Sequence, residues 1–182
     1  IVFIDDIVAE KCISEAQVYR YKDIELSEFE VVVALGEPAY REKLAMELTS
    51  KTTLATLIHP GVMIPQDTKV GAGVVIGAGA FISCNVTLYD NVLIQPGAYI
   101  SHDCVIKSHS VVCSLVSLGG KTVIGSRSFI GMNSAIRERT IIGDQTIVGM
   151  GAVVTKDIPN NSLAVGNPAR ITPVDRERRV FV

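Results

Sequence analysis

The chain has 182 residues, with 17 Lys plus Arg against 19 Asp plus Glu, a formal net charge of −2 and 48% hydrophobic residues. That size makes one domain with at most a small appendage. The near-neutral charge leaves no large positive field for nucleic acid or an anionic membrane surface, and the apolar content excludes disorder as the dominant state.

Residues 1–57 read as a partial α/β unit. IVFIDD (1–6) is a short apolar strand ending in two acids; it is neither a signal peptide nor an ordinary start, and reads as a trimmed beginning. VVVALG (31–36) is a second strand. EPAYREKLAMELTSK (37–51) reads as a helix with Ala39, Leu44, Ala45 and Leu48 near one face. TTLATLIHP (52–60) is a strand leading onward. Strand, strand, helix, strand is the order of a parallel α/β unit, here without a Gly-rich phosphate loop.

From residue 58 a different order takes over. Stepping by six from Ile58 to Val154 meets only Ile, Leu or Val, at all seventeen positions. Two residues before each stands a small or β-branched residue, and the residue after is Gly at 71, 77, 119, 125, 131, 143 and 149. A period of 3.6 would smear these aliphatics around a cylinder, and a period of two would not single out every sixth residue. Short strands separated by bends that turn the same way do fit. Three hexads then close one coil of triangular section, with coils stacked at about 4.8 Å. The aliphatic and the small residue both face inward, because a narrow prism cannot hold two large side chains per face. Composition agrees: 24 Val, 20 Ile and 11 Thr stand against only 10 aromatics and no Trp. We expect a mainly β parallel β-helix over 58–155 and a closing segment and tail over 156–182. In that tail the charged run before the apolar end reads as solvated, or else as an edge strand or subunit contact. Aliphatics beyond the interior positions, Val105, Val111 and Leu115, should lie on flat exposed faces that favour packing against copies.

No apolar run approaches the ~18 residues of a spanning helix. The four cysteines (Cys12, Cys84, Cys104, Cys113) lack any C-x-x-C spacing and read as reduced thiols of a cytoplasmic protein, with no metal site. Cys104 falls on an inward small position and Cys113 on a Gly-preferred one, so both read as structural. The three histidines cannot converge on a zinc ion: His59 and His102 are not separated by a whole number of coils, and His109 falls on a different edge. His59 reads as structural. His102 and His109 face outward.

One spacing singles out His102. Three hexads on is Gly120, so the two should stack, as should Asp103 and Lys121. An imidazole beside an accessible backbone is suited to acyl transfer, where one group takes a proton and another supports the oxyanion. The plain alternative is an Asp103–Lys121 surface pair and a Gly119–Gly120 turn.

The segments FIDD, ALG, LIHP, HDCVI, LVSLGGKTVIG, FIGMNS and VGMGAVVTKDIPNNSLAVGNPARI together resemble the hexapeptide-repeat sugar acetyltransferases of the sialic-acid and bacillosamine type. The resemblance spans essentially the whole chain. It implies a left-handed β-helix preceded by a partial Rossmann-like nucleotide-sugar-binding domain, acetyl-CoA as co-substrate with no metal, and a homotrimer. The acceptor would be a nucleotide-linked amino sugar or sialic acid. By position, His102 corresponds to the general base and Asp103 to the carboxylate that raises its basicity. Gly120 corresponds to a backbone contact near the thioester. Met132, Met150, Gly166, Asn167, Pro168 and Ala169 correspond to the coenzyme site, and Asp5, Asp6 and Gly36 to the nucleotide site. Val111 stands where the family often carries a second histidine, which leaves a non-catalytic CoA- or sugar-binding β-helix as the alternative.

Overall fold

The computed structural model describes residues 1–7, 12–173 and 180. It is mainly β. From Lys69 onward, two-residue strands recur every sixth residue and stack in parallel with partners one coil away: Thr87 pairs with Val105, and Val105 with Val123. Three stacks result. The first holds Lys69–Val70, Thr87–Leu88, Val105–Ile106, Val123–Ile124 and Ile141–Ile142. The second runs from Leu57–Ile58 through Leu93–Ile94 and Val111–Val112 to Ile147–Val148, and is extended by Ser162–Val165 and Arg170–Pro173. The third holds Phe81–Ile82, Tyr99–Ile100, Ser117–Leu118, Ala135–Ile136 and Val153–Val154. These stacks and the hexapeptide repeat are consistent with a left-handed β-helix.

The inward positions are those the period picked out. Every sixth residue from Ile76 to Val154 is buried, as is every small residue two places before it. Each such Ile, Leu or Val contributes roughly 1.5–3 kcal/mol by leaving water. The small inward residues also satisfy the corners: the hydroxyls of Ser110, Thr122 and Ser128 donate to the carbonyls of Gly125, Gly119 and Gly143 at 2.6, 2.6 and 2.8 Å. Glycine follows the aliphatic where the next coil comes too close for a side chain. A Cβ on Gly125 would lie 2.4 Å from the Gly143 carbonyl carbon.

At each corner one residue takes a left-handed conformation. Asn85, Asp103, Lys121 and Arg139 form one such column at φ +55, +59, +62 and +60°, and Asn91, His109, Arg127 and Gln145 form another. This conformation is costly for residues other than Gly, Asn and Asp. For all of these but Asn85 it is offset by a hydrogen bond from the corner N–H to the previous coil, as from Lys121 N–H to the His102 carbonyl at 2.9 Å.

The N-terminal residues form a second, smaller core of Leu26, Val33, Ala45 and Leu48. Strands β1 (Phe3–Ile4), β2 (Cys12–Ile13) and β3 (Ala16–Tyr19) make a mixed sheet in which β3 is central, parallel to β1 and antiparallel to β2. Strands β4 (Glu30–Val31) and β5 (Thr53–Leu54) pair in parallel with helix α1 (Pro38–Leu48) between them, as in a short βαβ unit. Pro38 at the first turn suits a position whose N–H needs no partner. The elements are shorter than the sequence suggests. The strand expected over 31–36 is Glu30–Val31, and that over 52–60 splits into β5 and Leu57–Ile58.

Two expectations need correction. The buried face of α1 is Pro38, Arg41, Ala45 and Leu48, whereas Ala39 is exposed. Val111 is also buried: it points outward from the second stack between Leu93 and Phe129, and its cluster is joined by Val180, whose N–H donates to Glu37 at 2.9 Å. The expectation of a solvated or edge-strand tail falls largely on 174–179 and 181–182, outside the described residues.

Arg41 docks α1 on the β-helix. Its guanidinium is fully buried and donates to the carbonyls of Val33, Leu35 and Asn91 and to Asn91 Oδ1. Burial pulls it down to about 10, so it stays charged at neutral pH. Asn91 Oδ1 accepts from Arg41, so its Nδ2 is the donor, to the Arg41 carbonyl at 3.1 Å and to His109 Nδ1 at 3.1 Å. His109 is therefore held as the neutral ring with its proton on Nε2.

Burial holds the His109 imidazole below its ordinary value. Glu42 and Asp90 favour its charged form, and Arg41 and Arg127 oppose it. A base with a depressed folded-state value leaves the unfolded chain with more bound protons between that value and the ordinary imidazole value. Its contribution to stability is thus complete above about pH 6.5 and is lost as pH falls below it. We expect the melting temperature of the wild type to drop more between pH 7.5 and 5 than that of His109→Gln, whose amide oxygen accepts from Asn91 without titrating. Equal drops would show that His109 is not the titrating group.

Candidate active site

The corner between the third and first stacks carries Cys84, His102, Gly120, Glu138 and Lys156, each one coil after the last. His102 follows the strand Tyr99–Ile100, and its backbone is fixed by the hydrogen bond from Lys121 N–H. Asp103 is the left-handed corner residue, and its N–H donates to the Cys84 carbonyl at 3.1 Å. That conformation turns its carboxylate back on its neighbour: His102 Nδ1 lies 2.8 Å from Asp103 Oδ2. Asp103 Oδ1 accepts from Asn85 Nδ2 at 2.6 Å. The His102 hydrogen bond first, and the Asn85 one second, hold the Asp103 carboxyl below its ordinary range.

An ionised carboxylate only accepts, so Nδ1 carries the proton and Nε2 presents its lone pair. Nε2 faces Gly120, where a Cβ would lie 2.6 Å from it. The His102 side chain is 54% exposed and Asp103's 35%, so a solute can reach Nε2. The pairing of Asp103 with Lys121 does not form: Lys121 contributes only its field to the carboxylate, which is held instead by His102 and Asn85.

Gly120→Ala tests this juxtaposition. The added methyl meets a movable ring rather than backbone, so the melting temperature should stay close to that of the wild type. The imidazole must shift by about 1 Å or rotate, and such a misplacement can cost about 10²-fold in rate. An unchanged kcat would show that the position of Nε2 over Gly120 does not matter.

The other sequence-derived positions lie elsewhere. Met132 and Met150 stand one coil apart on the next corner, between the second and third stacks, and both are exposed. Gly166, Asn167, Pro168 and Ala169 form the turn between Ser162–Val165 and Arg170–Pro173. This turn is pinned to Val153, whose N–H donates to the Gly166 carbonyl at 3.0 Å and whose carbonyl accepts from Ala169 N–H at 2.8 Å. Beside it is a cleft of about 170 Å³ lined by Val154, Thr155, Lys156, Ile158, Pro168, Ala169 and Ile171. Lys156 is three coils from His102 on the same corner, about 14 Å at ordinary strand spacing. Asp5, Asp6 and Gly36 belong to the N-terminal unit. Asp5 Oδ1 accepts from Ile7 N–H at 2.7 Å, and Asp6 Oδ1 from Tyr21 N–H at 2.9 Å.

Cys104 and Cys113 are buried, and His59 is held in its own turn. Burial raises the Cys104 thiol, which donates to the Gly119 carbonyl at 3.3 Å, and pushes Cys113 up to about 11. His59 Nδ1 accepts from Gly61 N–H at 3.1 Å within its own turn. Among the described residues no group of three or more His, Cys, Asp or Glu is placed to hold a metal ion, and no helix is long and apolar enough to cross a membrane.

Comparison with known proteins decides the family. The model of the bacterial transferase hexapeptide (six repeats) matches residues 121–156, and that of the hexapeptide repeat of succinyl-transferase matches 67–102. The acetyltransferase domain of PglB from Neisseria gonorrhoeae is 28% identical, covers 94% of this chain and 86% of its own, and superposes with a TM-score of 0.89. GDP-perosamine N-acetyltransferase from Caulobacter crescentus, solved as a histidine-to-alanine variant with CoA and GDP-perosamine, is 31% identical. It covers 79% of this chain and 69% of its own, with a TM-score of 0.77. The chain belongs to the hexapeptide-repeat sugar acetyltransferases. The PglB domain in complex with acetyl coenzyme A matches equally well, at 28% identity over 94% of this chain and 85% of that one, TM-score 0.88. No curated protein sequence gives a significant match. As a member of this family the chain is an acyltransferase. The geometry missed by sequence reading is Asn85, although stepping back one coil from Asp103 would have met it.

Proposed function

We propose that the chain transfers the acetyl group of acetyl-CoA to an amino group or hydroxyl of a nucleotide-linked sugar in surface-glycan synthesis, with His102 as general base. The carrying observation is the pair of contacts on one imidazole: Nδ1 on Asp103, and Nε2 free and facing Gly120. Nε2 takes the proton of the acceptor as its nitrogen or oxygen attacks the thioester carbonyl. The Asp103 carboxylate stabilises the imidazolium that forms. The Gly120 N–H, which has no acceptor among the described residues, is available to the carbonyl oxygen. The thioester C–S bond then breaks, and the imidazolium returns the proton to the departing thiolate.

The coenzyme reading is supported by the complexes of the PglB domain with acetyl-CoA and of the C. crescentus enzyme with CoA and GDP-perosamine. The corner from His102 to Lys156 offers an extended donor a path about 14 Å long, ending at the cleft beside Gly166–Ala169. In this reading 58–155 is the transfer domain and 156–182 closes it. Residues 1–57 form a partial Rossmann-like domain that holds the nucleotide through Asp5, Asp6 and Gly36. Met132 and Met150 occupy the neighbouring corner, so they line the coenzyme together with His102 across the groove between copies, in a homotrimer. The four free thiols suit a cytoplasmic setting.

The test is thiol release from acetyl-CoA with a panel of nucleotide-linked amino sugars and free sialic acid, alongside light scattering. Turnover with a nucleotide-linked amino sugar by a trimer is expected. CoA binding with no turnover across the panel would favour a non-catalytic binding solenoid, and a monomer would overturn the shared groove.

A further inference from the structure

We propose that Asn85 is a positioning residue for acetyl transfer, holding the Asp103 carboxylate in the plane that sets the His102 ring. This rests on the reading of His102 as the base. A surface His–Asp pair by itself is weakly held, because solvent screens it and both side chains rotate. Here the carboxylate is gripped at both oxygens, Oδ2 by His102 Nδ1 at 2.8 Å and Oδ1 by Asn85 Nδ2 at 2.6 Å. The two grips come from adjacent coils. Asn85 and Asp103 occupy the same left-handed corner one turn of the solenoid apart, at φ +55 and +59°, and backbone bonds from Asp103 N–H to Cys84 and from Lys121 N–H to His102 tie the three coils together. A carboxylate can only accept, which fixes the Asn85 amide as donor. Flanked by Ser83 and Thr87, whose N–H groups donate to the Ile100 and Cys104 carbonyls, Asn85 touches no reacting atom and acts on Nε2 only through Asp103. An amide is suited to this place because it is neutral: a carboxylate at 85 would repel Asp103 and favour the charged imidazole.

The test uses the whole chain, with Asn85→Leu and Asn85→Asp compared with His102→Asn. Leu should be accommodated, since Leu115 already occupies a left-handed corner of this solenoid at φ +59°. Asn85→Leu should lower kcat about 10-fold while leaving the KM for acetyl-CoA within about twofold, and the melting temperature should fall by only a few degrees, the cost of Leu in a left-handed corner. Asn85→Asp adds a negative charge beside the pair, so the acid limb of the kcat/KM–pH profile should move up by about one unit. A merely structural role would leave that limb in place. If His102→Asn is inactive while both Asn85 variants keep the wild-type kcat and pH profile, the Asn85 proposal fails alone. If His102→Asn retains wild-type turnover, the reading of the base fails and this proposal falls with it.

Discussion

His102→Asn should lower the turnover of acetyl-CoA by roughly 10²–10⁴-fold at saturating substrates, the usual contribution of a positioned proton acceptor. Asparagine keeps much of the volume and can still donate to Asp103, so the corner should survive; what it removes is the ring-nitrogen lone pair that can take and return a proton. The loss should therefore appear in kcat, with binding of CoA intact. A histidine-to-alanine variant of the C. crescentus enzyme holds both CoA and GDP-perosamine, so in that protein losing a histidine does not prevent binding. Single-turnover assays separate the two effects. A variant with normal kcat and a raised KM for acetyl-CoA would make His102 a binding residue, and an unchanged kcat/KM would remove it from the reaction altogether.

Under the proposed reading, the surroundings of the other candidate groups favour His102 as the base. His109 spends its Nδ1 on Asn91 and is half-buried on a different corner, and His59 spends its Nδ1 on its own turn. The Cys104 thiol is buried in the prism with its pKa raised, which withholds the thiolate a nucleophile needs.

The β-helix was legible because its constraint is strictly periodic. A prism of fixed width accepts one aliphatic and one small residue per face, so the pattern Ile94, Ala98, Ile100, Cys104, Ile106 states its own geometry, and all five are buried. The stacking of His102 on Gly120 followed from the same one-coil step. What stayed hidden depends on side chains that leave the periodic frame. The step placed Lys121 one coil from Asp103, and it stands there, yet the short Asn85 amide on the other side makes the contact while the long lysine stays exposed. Val111 looked exposed because an outward strand position carries no sign of what will cover it. In α1 an apolar count favoured Ala39 and passed over Arg41, although Arg41 lies one turn before Ala45 and two before Leu48, on their stripe. A charged residue on a buried stripe is the one signal that could have exposed the docking contact.

Arg41→Met should destabilise the protein by about 4 kcal/mol, with the N-terminal unit loosening first. The guanidinium is enclosed and satisfies four acceptors: the carbonyls of Val33, Leu35 and Asn91, and the Asn91 side chain. Methionine fills much of the space but donates nothing, and each buried acceptor left without a donor costs about 1–3 kcal/mol, less than additively when they share one network. For a chain of this length each kcal/mol corresponds to roughly 2–4 °C, so a fall of about 10 °C is expected. Arg41→Lys should recover little, because one ammonium cannot span acceptors arranged for a planar fork. Since Asn91 joins Arg41 to the β-helix, hydrogen exchange should rise in α1 and β4 while Val105–Ile106 and Val123–Ile124 stay protected. A melting temperature within about 2 °C of the wild type would show that the helix is held by its apolar contacts, Ala45 and Leu48, and that the guanidinium only fills the space between the two cores.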